Sequence, residues 1–377
     1  INLVINYIKK IGVIIVLLLS IYLIDPFQLG FLAGYLILVL IYTKKDFLKS
    51  NLDIDYFILL VYSIVYALFY FLNGDILIQT FIFYLLFPPG FYLLGKYFIS
   101  KTESIDNIYY LLLFVGLLFS MTALISVSLN LLEGGFRQAE RTLPLFWNGK
   151  ENSATLMGAY FTLNMCIPSL MIMRGIKLNL LFKFSGFAIF IISLLCVFRL
   201  GSRTQIVICL ITTISSIIFY LVNHNIKKNI KLILGITIFL IAAYIFVPFD
   251  LDADYLSVLG DRLQKTDSNS TAGNRTQKWS KSLINLFTKP FGWNINEFGY
   301  SHNLWLDVAQ SNGIIPFLFL VLFTVKSFFK TKKIIFSKYA STHLKNIILI
   351  YMFSIHLLFF VEPVILGVFS MFVFYCF

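Results

Sequence analysis

The chain has 377 residues, 59% of them apolar and only 13% charged, against about 45–50% and about 25% in soluble domains. That excess is more than a soluble core can bury, which excludes a cytosolic enzyme, a disordered chain and a disulfide scaffold. The formal charge of +12 invites a nucleic-acid partner, but in a membrane protein it first reports on which side the charges lie.

A helix needs about 20 apolar residues to cross the hydrocarbon core. Eleven runs qualify or nearly do, at 8–24, 27–43, 55–72, 76–95, 108–130, 153–173, 180–198, 204–222, 231–248, 303–325 and 346–361. A twelfth, 364–377, has 14 residues and is either a short last helix or a span cut short. No small-residue cleavage site follows the first run, so it is read as a spanning helix and not as a signal peptide. Lipid admits only helices and closed barrels, and none of the runs alternates with period 2. The expectation is an all-α, polytopic membrane helix bundle of about 12 transmembrane helices, forming a single membrane domain over 1–377. Pro88, Pro89 and Pro168 interrupt the fourth and sixth runs, either as tolerated kinks or as broken helices at a site. Cys166, Cys196, Cys209 and Cys376 all lie in apolar runs and read as packing residues.

Charge supports this count. With the N-terminus inside, 19 of the 30 Lys and Arg fall in inner loops, with five of the 18 acids. The inner face is then +14 and the outer face −2. This is the positive-inside asymmetry, and it predicts that both termini are cytoplasmic. Two long outer loops result, 131–152 and 249–302, and ordered loops of such length are where function tends to sit. The inner loops carry mostly Lys, as tethers to an anionic leaflet. The chain has no Walker A motif, G-x-G-x-x-G, H-E-x-x-H or internal repeat.

Six of the seven arginines fall outside: Arg137 and Arg141 in the first long loop, Arg199 and Arg203 around the turn FRLGSR, and Arg262 and Arg275 in the second long loop. Arg174 is the exception. Arginine presents a planar, two-pronged donor suited to phosphate oxygens. At the mouth of a span it is costly unless it faces a cavity or a partner, which singles out Arg203. For Arg262 a surface salt bridge is the simpler reading. Glu362, at the outer end of the eleventh run, is placed to pair with an outer arginine. His302 begins the tenth run with Ser301 as its expected N-cap. The free N–H groups and dipole of that helix end favour an anion, and a histidine there can move a proton near neutral pH. His356, in mid-span, reads as packed. Trp147, Trp293 and Trp305 lie on the outer side, either as interfacial anchors or as platforms for the apolar face of a sugar.

Taken in chain order, RQAERTLPLFWNGKENSATLMGAY, RLGSRTQ, AGNRTQKW with KPFGW, and SHNLWLDVAQSNGIIPF resemble the O-antigen polymerase and ligase superfamily. The likeness covers about 131–316 by motif and the whole chain by topology. It implies a GT-C-like fold that acts at the outer face of the bacterial plasma membrane. It implies a donor glycan on undecaprenyl pyrophosphate and glycosyl transfer with inversion, using no metal, nucleotide sugar or other cofactor. His302 and Asn303 would be catalytic. Arg203 and Arg275, then Arg137, Arg141 and Arg199, would bind pyrophosphate and glycan, with Trp293 and Trp305 against the sugars. The partners implied are the lipid-linked oligosaccharide, the bilayer, a flippase and a chain-length regulator, and no nucleic acid. Ligases of this superfamily show a second histidine just before the first, where this chain has Tyr300 and Ser301. That favours a polymerase joining lipid-linked repeat units of O-antigen or capsule. A ligase transferring glycan to lipid A core, and a flippase or transporter of lipid-linked oligosaccharide, remain alternatives.

Overall fold

A computed structural model describes residues 2–72, 77–138, 140–147, 149–172, 180–246, 253–264, 275–362, 372 and 374–376. Arg174 and most of the 364–377 run lie outside the described residues, as does the Arg262 side chain. The architecture is all-α. In chain order the helices are α1 (Asn2–Ile11), α2 (Val13–Ile24), α3 (Gly30–Tyr42), α4 (Lys45–Asn51), α5 (Ile54–Leu72), α6 (Ile78–Ser100) and α7 (Ile105–Gly134). Then follow α8 (Ala154–Ala159), α9 (Thr162–Met165), α10 (Ile167–Ile172), α11 (Leu180–Leu200), α12 (Arg203–Asn223) and α13 (Ile226–Phe246). The last are α14 (Ser257–Gln264), α15 (Arg275–Thr288), α16 (Leu304–Asn312), α17 (Ile314–Ile335) and α18 (Thr342–Val361). Two three-residue strands, Thr142–Pro144 and Glu151–Ser153, form a small antiparallel ladder in the first long loop.

Among the described residues, seven helices are long and apolar enough to cross a membrane: α5, α6, α7, α11, α12, α17 and α18. The chain is therefore a multi-pass membrane protein by the length and composition of its helices. Ser104 and Ser341 start α7 and α18 by accepting the N–H groups of Asn107 and Leu344. At about 1.5 Å per residue, the 30 residues of α7 reach well past a hydrocarbon core of about 30 Å. The helix thus carries its last turn clear of the bundle, where the first long loop begins.

Several apolar runs do not form one straight helix. The first run is broken at Gly12, whose φ of 104° favours glycine, and the segments on either side meet at 92°. The second gives only the 13 residues of α3. The sixth becomes α8, α9 and α10. The tenth is split at Gly313, with φ 84°, into α16 and the span α17. α6, by contrast, runs through both Pro88 and Pro89, so those prolines are tolerated. The described part of the ninth run, 231–246, lies within α13, 21 residues long.

Polar groups join the spans inside the bundle. Asn164 Nδ2 donates to Ser120 Oγ at 2.8 Å and Ser193 Oγ at 2.9 Å, linking α9 to α7 and α11. Asn346 Oδ1 accepts from Ser216 Oγ across α12 and α18. At one end, buried Asp55 holds Lys326 at 2.8 Å and also Lys330, and Asp53 holds Lys96 at 3.0 Å. Those lysines therefore tie α5, α6 and α17 together and are more than leaflet tethers. The opposite end carries the two long loops and is called here the loop face. Beneath it Leu286, Trp293, Leu306 and Ala309 form a small core of their own.

Gly313 is the joint between that core and the membrane. A Cβ there would lie 2.4 Å from Pro290 O and 2.9 Å from Phe291 Cα, both backbone atoms. Ile314 N donates to the same carbonyl at 2.8 Å, so the neighbour is held in place. Gly313→Ala is expected to cost about 1–3 kcal/mol, seen as a lower thermal midpoint in detergent. An unchanged midpoint would contradict this backbone path.

Candidate functional site

The turn before α16 is built around His302. Its φ is 58°, a left-handed conformation uncommon for a residue with a side chain. Asp307, one turn into the helix, accepts Ser301 N–H on Oδ1 at 2.8 Å and Asn303 N–H on Oδ2 at 3.3 Å. One carboxylate therefore grips the backbone on both sides of His302. The N-cap is Asn303, whose Oδ1 accepts Leu306 N–H at 3.2 Å, and not Ser301 as expected. The reversal at His302 delays the helix by two residues. Ser301 instead faces α15, sharing a 2.6 Å bond with Ser282 Oγ, while its carbonyl accepts Trp279 Nε1 at 2.8 Å. The Asn303 oxygen is thus committed to the helix start.

Burial sets the protonation of this pair. It pushes the His302 imidazole down to about 4, aided by the charges of Arg275 and Lys278. His302 is therefore neutral at physiological pH, and its Nδ1 is buried with no hydrogen-bond partner among the described residues. Burial pushes Asp307 up to about 7, against the lowering effect of the two backbone N–H groups and Lys278.

Arginines gather around Glu362, and one of them reaches this turn. Arg203 opens α12, after the tight turn at Gly201, φ 58°. Arg141 reaches that turn from the first long loop and donates from Nε and Nη2 to Leu200 O at 3.0 and 2.8 Å. Burial lowers its pKa, the neighbouring Arg203 lowers it further, and Glu362 raises it. Glu362, just past α18, is buried. It accepts Thr204 Oγ1 and lies 3.6 Å from Arg275 Nη2. Arg275 in turn acts on His302. Arg141, Arg203, Arg275, Lys278, Glu362 and His302 therefore form one continuous electrostatic cluster.

The other expected residues stand elsewhere or serve packing. Arg199 is 0% exposed and donates to Asn130 Oδ1, Gln138 Oε1 and Glu140 O at 2.9, 2.8 and 3.1 Å. It is a clamp on the first long loop, with Nε and Nη2 both bonded to that loop and the end of α7. Arg137 pairs with Asp254 at 2.7 Å, both largely exposed, a kind of bridge that contributes about 0–1 kcal/mol. Trp293 is 7% exposed and stacks on Phe298, so its face is closed to a sugar. Trp305 donates to Thr324 Oγ1 at 2.9 Å and lies over His356. His356 is packed as expected, its Nδ1 2.8 Å from Met352 O. Trp147 packs against Phe27 and Phe146.

Asp307, Lys278, Trp279, Ser282 and Thr204 were not singled out from the sequence. A signal existed for three of them. Arg275, Lys278, Trp279 and Ser282 recur at i, i+3, i+4 and i+7, which is one face of a helix, inside the long outer segment 249–302. No protein-family model matches the chain, and no curated protein does either.

Asp307 should leave a pH signature. Between its ordinary 3.8 and about 7 the folded protein keeps a proton that the unfolded chain has lost, so this residue lowers stability as pH rises through that window. His302, depressed from 6.5 to about 4, acts in the opposite direction. Asp307→Asn removes one acceptor, costing about 1–3 kcal/mol, but also removes the titration. Its deficit in thermal midpoint against the native protein is expected to shrink as pH rises from 4.5 to 7.5. A deficit that stays constant or widens would contradict the burial of this carboxyl.

Proposed function

We propose that the chain is a polysaccharide polymerase that joins lipid-linked oligosaccharide repeat units by glycosyl transfer. The observation that carries this reading is a run of charges at one end of a membrane bundle, from Arg141 and Arg203 through Glu362 to Arg275, which with Lys278 acts on a neutral His302. A donor on a lipid pyrophosphate presents two demands, an anionic leaving group at the membrane surface and an acceptor hydroxyl that must lose a proton. In the proposed reaction the acceptor oxygen forms its bond to the anomeric carbon from the face opposite the departing oxygen. The bond to pyrophosphate breaks, and its electron pair leaves with the phosphate. Arg203 and Arg275, with Arg141 behind them, neutralise that charge as preorganised donors. His302 takes the acceptor proton, with Asp307 holding the backbone on either side of it and Asn303 capping α16 behind it.

The low pKa of His302 fits such a cycle. It owes part of its depression to Arg275 and Lys278. A pyrophosphate anion bound beside these cations offsets their field and raises the imidazole towards its ordinary value. Donor binding thus strengthens the base when it is needed. The proposal includes a twelve-span, GT-C-like bundle in a bacterial plasma membrane, with both termini cytoplasmic and the loop face outside. The positive-inside asymmetry supports that orientation. A transporter would place ionisable residues near mid-membrane, whereas the charged cluster here lies at the ends of α11, α12 and α18.

His302→Ala is expected to leave expression and membrane insertion intact and to abolish long-chain glycan on a gel. A normal ladder would refute the assignment. Arg203→Lys replaces a fork by a point charge and is expected to slow turnover of a purified lipid-linked donor by about 10²-fold. Full activity would mean that Arg203 only marks topology.

A further inference from the structure

Helix α15 divides lengthwise into three sectors. Arg275, Lys278, Trp279, Ser282 and Leu286 face the site and α16. Gln277 and Lys281, exposed, form a second, polar sector. The third is apolar: Leu283, Ile284 and Phe287, with Phe287 80% exposed. At 100° per residue these three positions fall within one sector over the last two turns of the helix, and the same sector nearer the N-terminus holds Thr276 and Ser280, both exposed. Phe291, 69% exposed just beyond the helix, extends it.

This apolar stripe meets the membrane surface of the bundle. Phe291 stacks on Phe69, in the last turns of the span α5, with ring centroids 6.2 Å apart. Leu68, Phe71 and Leu72 on the same end of α5 are also exposed. The stripe is therefore continuous with a surface whose only compatible solvent is hydrocarbon. An exposed patch of this kind in water would be an aggregation liability. On a helix with a protein side, a polar side and an apolar side, it is the pattern of a helix lying in the bilayer interface.

We infer that α15 is an interfacial helix, with Leu283, Ile284, Phe287 and Phe291 embedded among the lipid chains of the leaflet at the loop face. The partner is the bilayer itself. The consequence for the site is depth. Arg275 and Lys278 sit one helix thickness from lipid, at headgroup level. On the reading of the site given above, a lipid-borne pyrophosphate then enters sideways between α15 and the spans, without leaving its leaflet.

The test uses the full chain with single nitroxide labels at 283, 287 and 291, and at 277 and 281 for comparison. The protein is reconstituted in phosphatidylethanolamine and phosphatidylglycerol vesicles, and unsubstituted protein serves as the labelling background. Labels at 283, 287 and 291 are expected to collide with oxygen and to be shielded from a water-soluble nickel chelate, with the reverse at 277 and 281. The ratio of the two collision rates should differ several-fold between the sets. Equal nickel access at 287 and 281 would overturn the inference, because the stripe would then face water. Shielding of 287 from both reagents would overturn it too, because protein would then cover the stripe. Neither outcome depends on turnover, so glycan synthesis can fail or hold independently.

Discussion

One buried carboxylate organises the loop face. Glu362 closes α18, takes Thr204 from α12 and Arg275 from α15, and acts on Arg141 from the first long loop. A buried carboxylate lacking such partners would cost several kcal/mol. Folding therefore requires that the cations come to it, and segments separated by up to 221 positions, Arg141 to Glu362, are pinned at one point. The acid also makes the arginine crowd tolerable. Arg141, Arg203, Arg275 and Lys278 leave an excess of positive charge even so, and that excess is what an anion would find there.

The same loss of water acts oppositely on His302 and Asp307. Burial disfavours a charge on either, so the imidazole is held low and the carboxyl high. The two neighbours play different parts. Asp307 spends both oxygens on backbone N–H groups and so holds His302 in a left-handed turn. Strain of this kind persists only where surrounding contacts over-determine it, and it concentrates at functional sites. Asn303 and Ser301 add the helix cap and the link to α15. The histidine is thus mounted on α16, with α15 beside it and the apolar core of Trp293, Leu306 and Ala309 beneath.

Some of this was legible in residues alone. The turn at Arg199–Arg203, the pairing of Glu362 with an arginine, and the helix start just after His302 all follow from polar residues placed at the ends of apolar runs. Other features were hidden for identifiable reasons. Ser301 is as good an N-cap as Asn303 by composition, and only the positive φ of His302 decides between them. Arg199 and Arg203 look alike in FRLGSR, yet one points into the first long loop and is consumed there, while the other opens α12. Trp293 and Trp305 carry the same amphipathic ring whether buried or open. α15 is hidden because its low hydropathy within a long outer segment resembles a loop, although the spacing of its residues is helical.

Composition by itself determined that the chain lives in lipid and is helical, because hydrocarbon leaves no partner for backbone N–H and C=O groups except those within a helix or a closed barrel. It also determined where the few charges must gather, at the ends of the spans. Tertiary structure alone decided which runs are broken, since hydropathy averages over a window and does not register the φ of Gly12 or Gly313. It alone decided which arginines share one acid, because contacts between residues such as Thr204 and Glu362, 158 positions apart, arise from the packing of helices and leave no local trace in the chain.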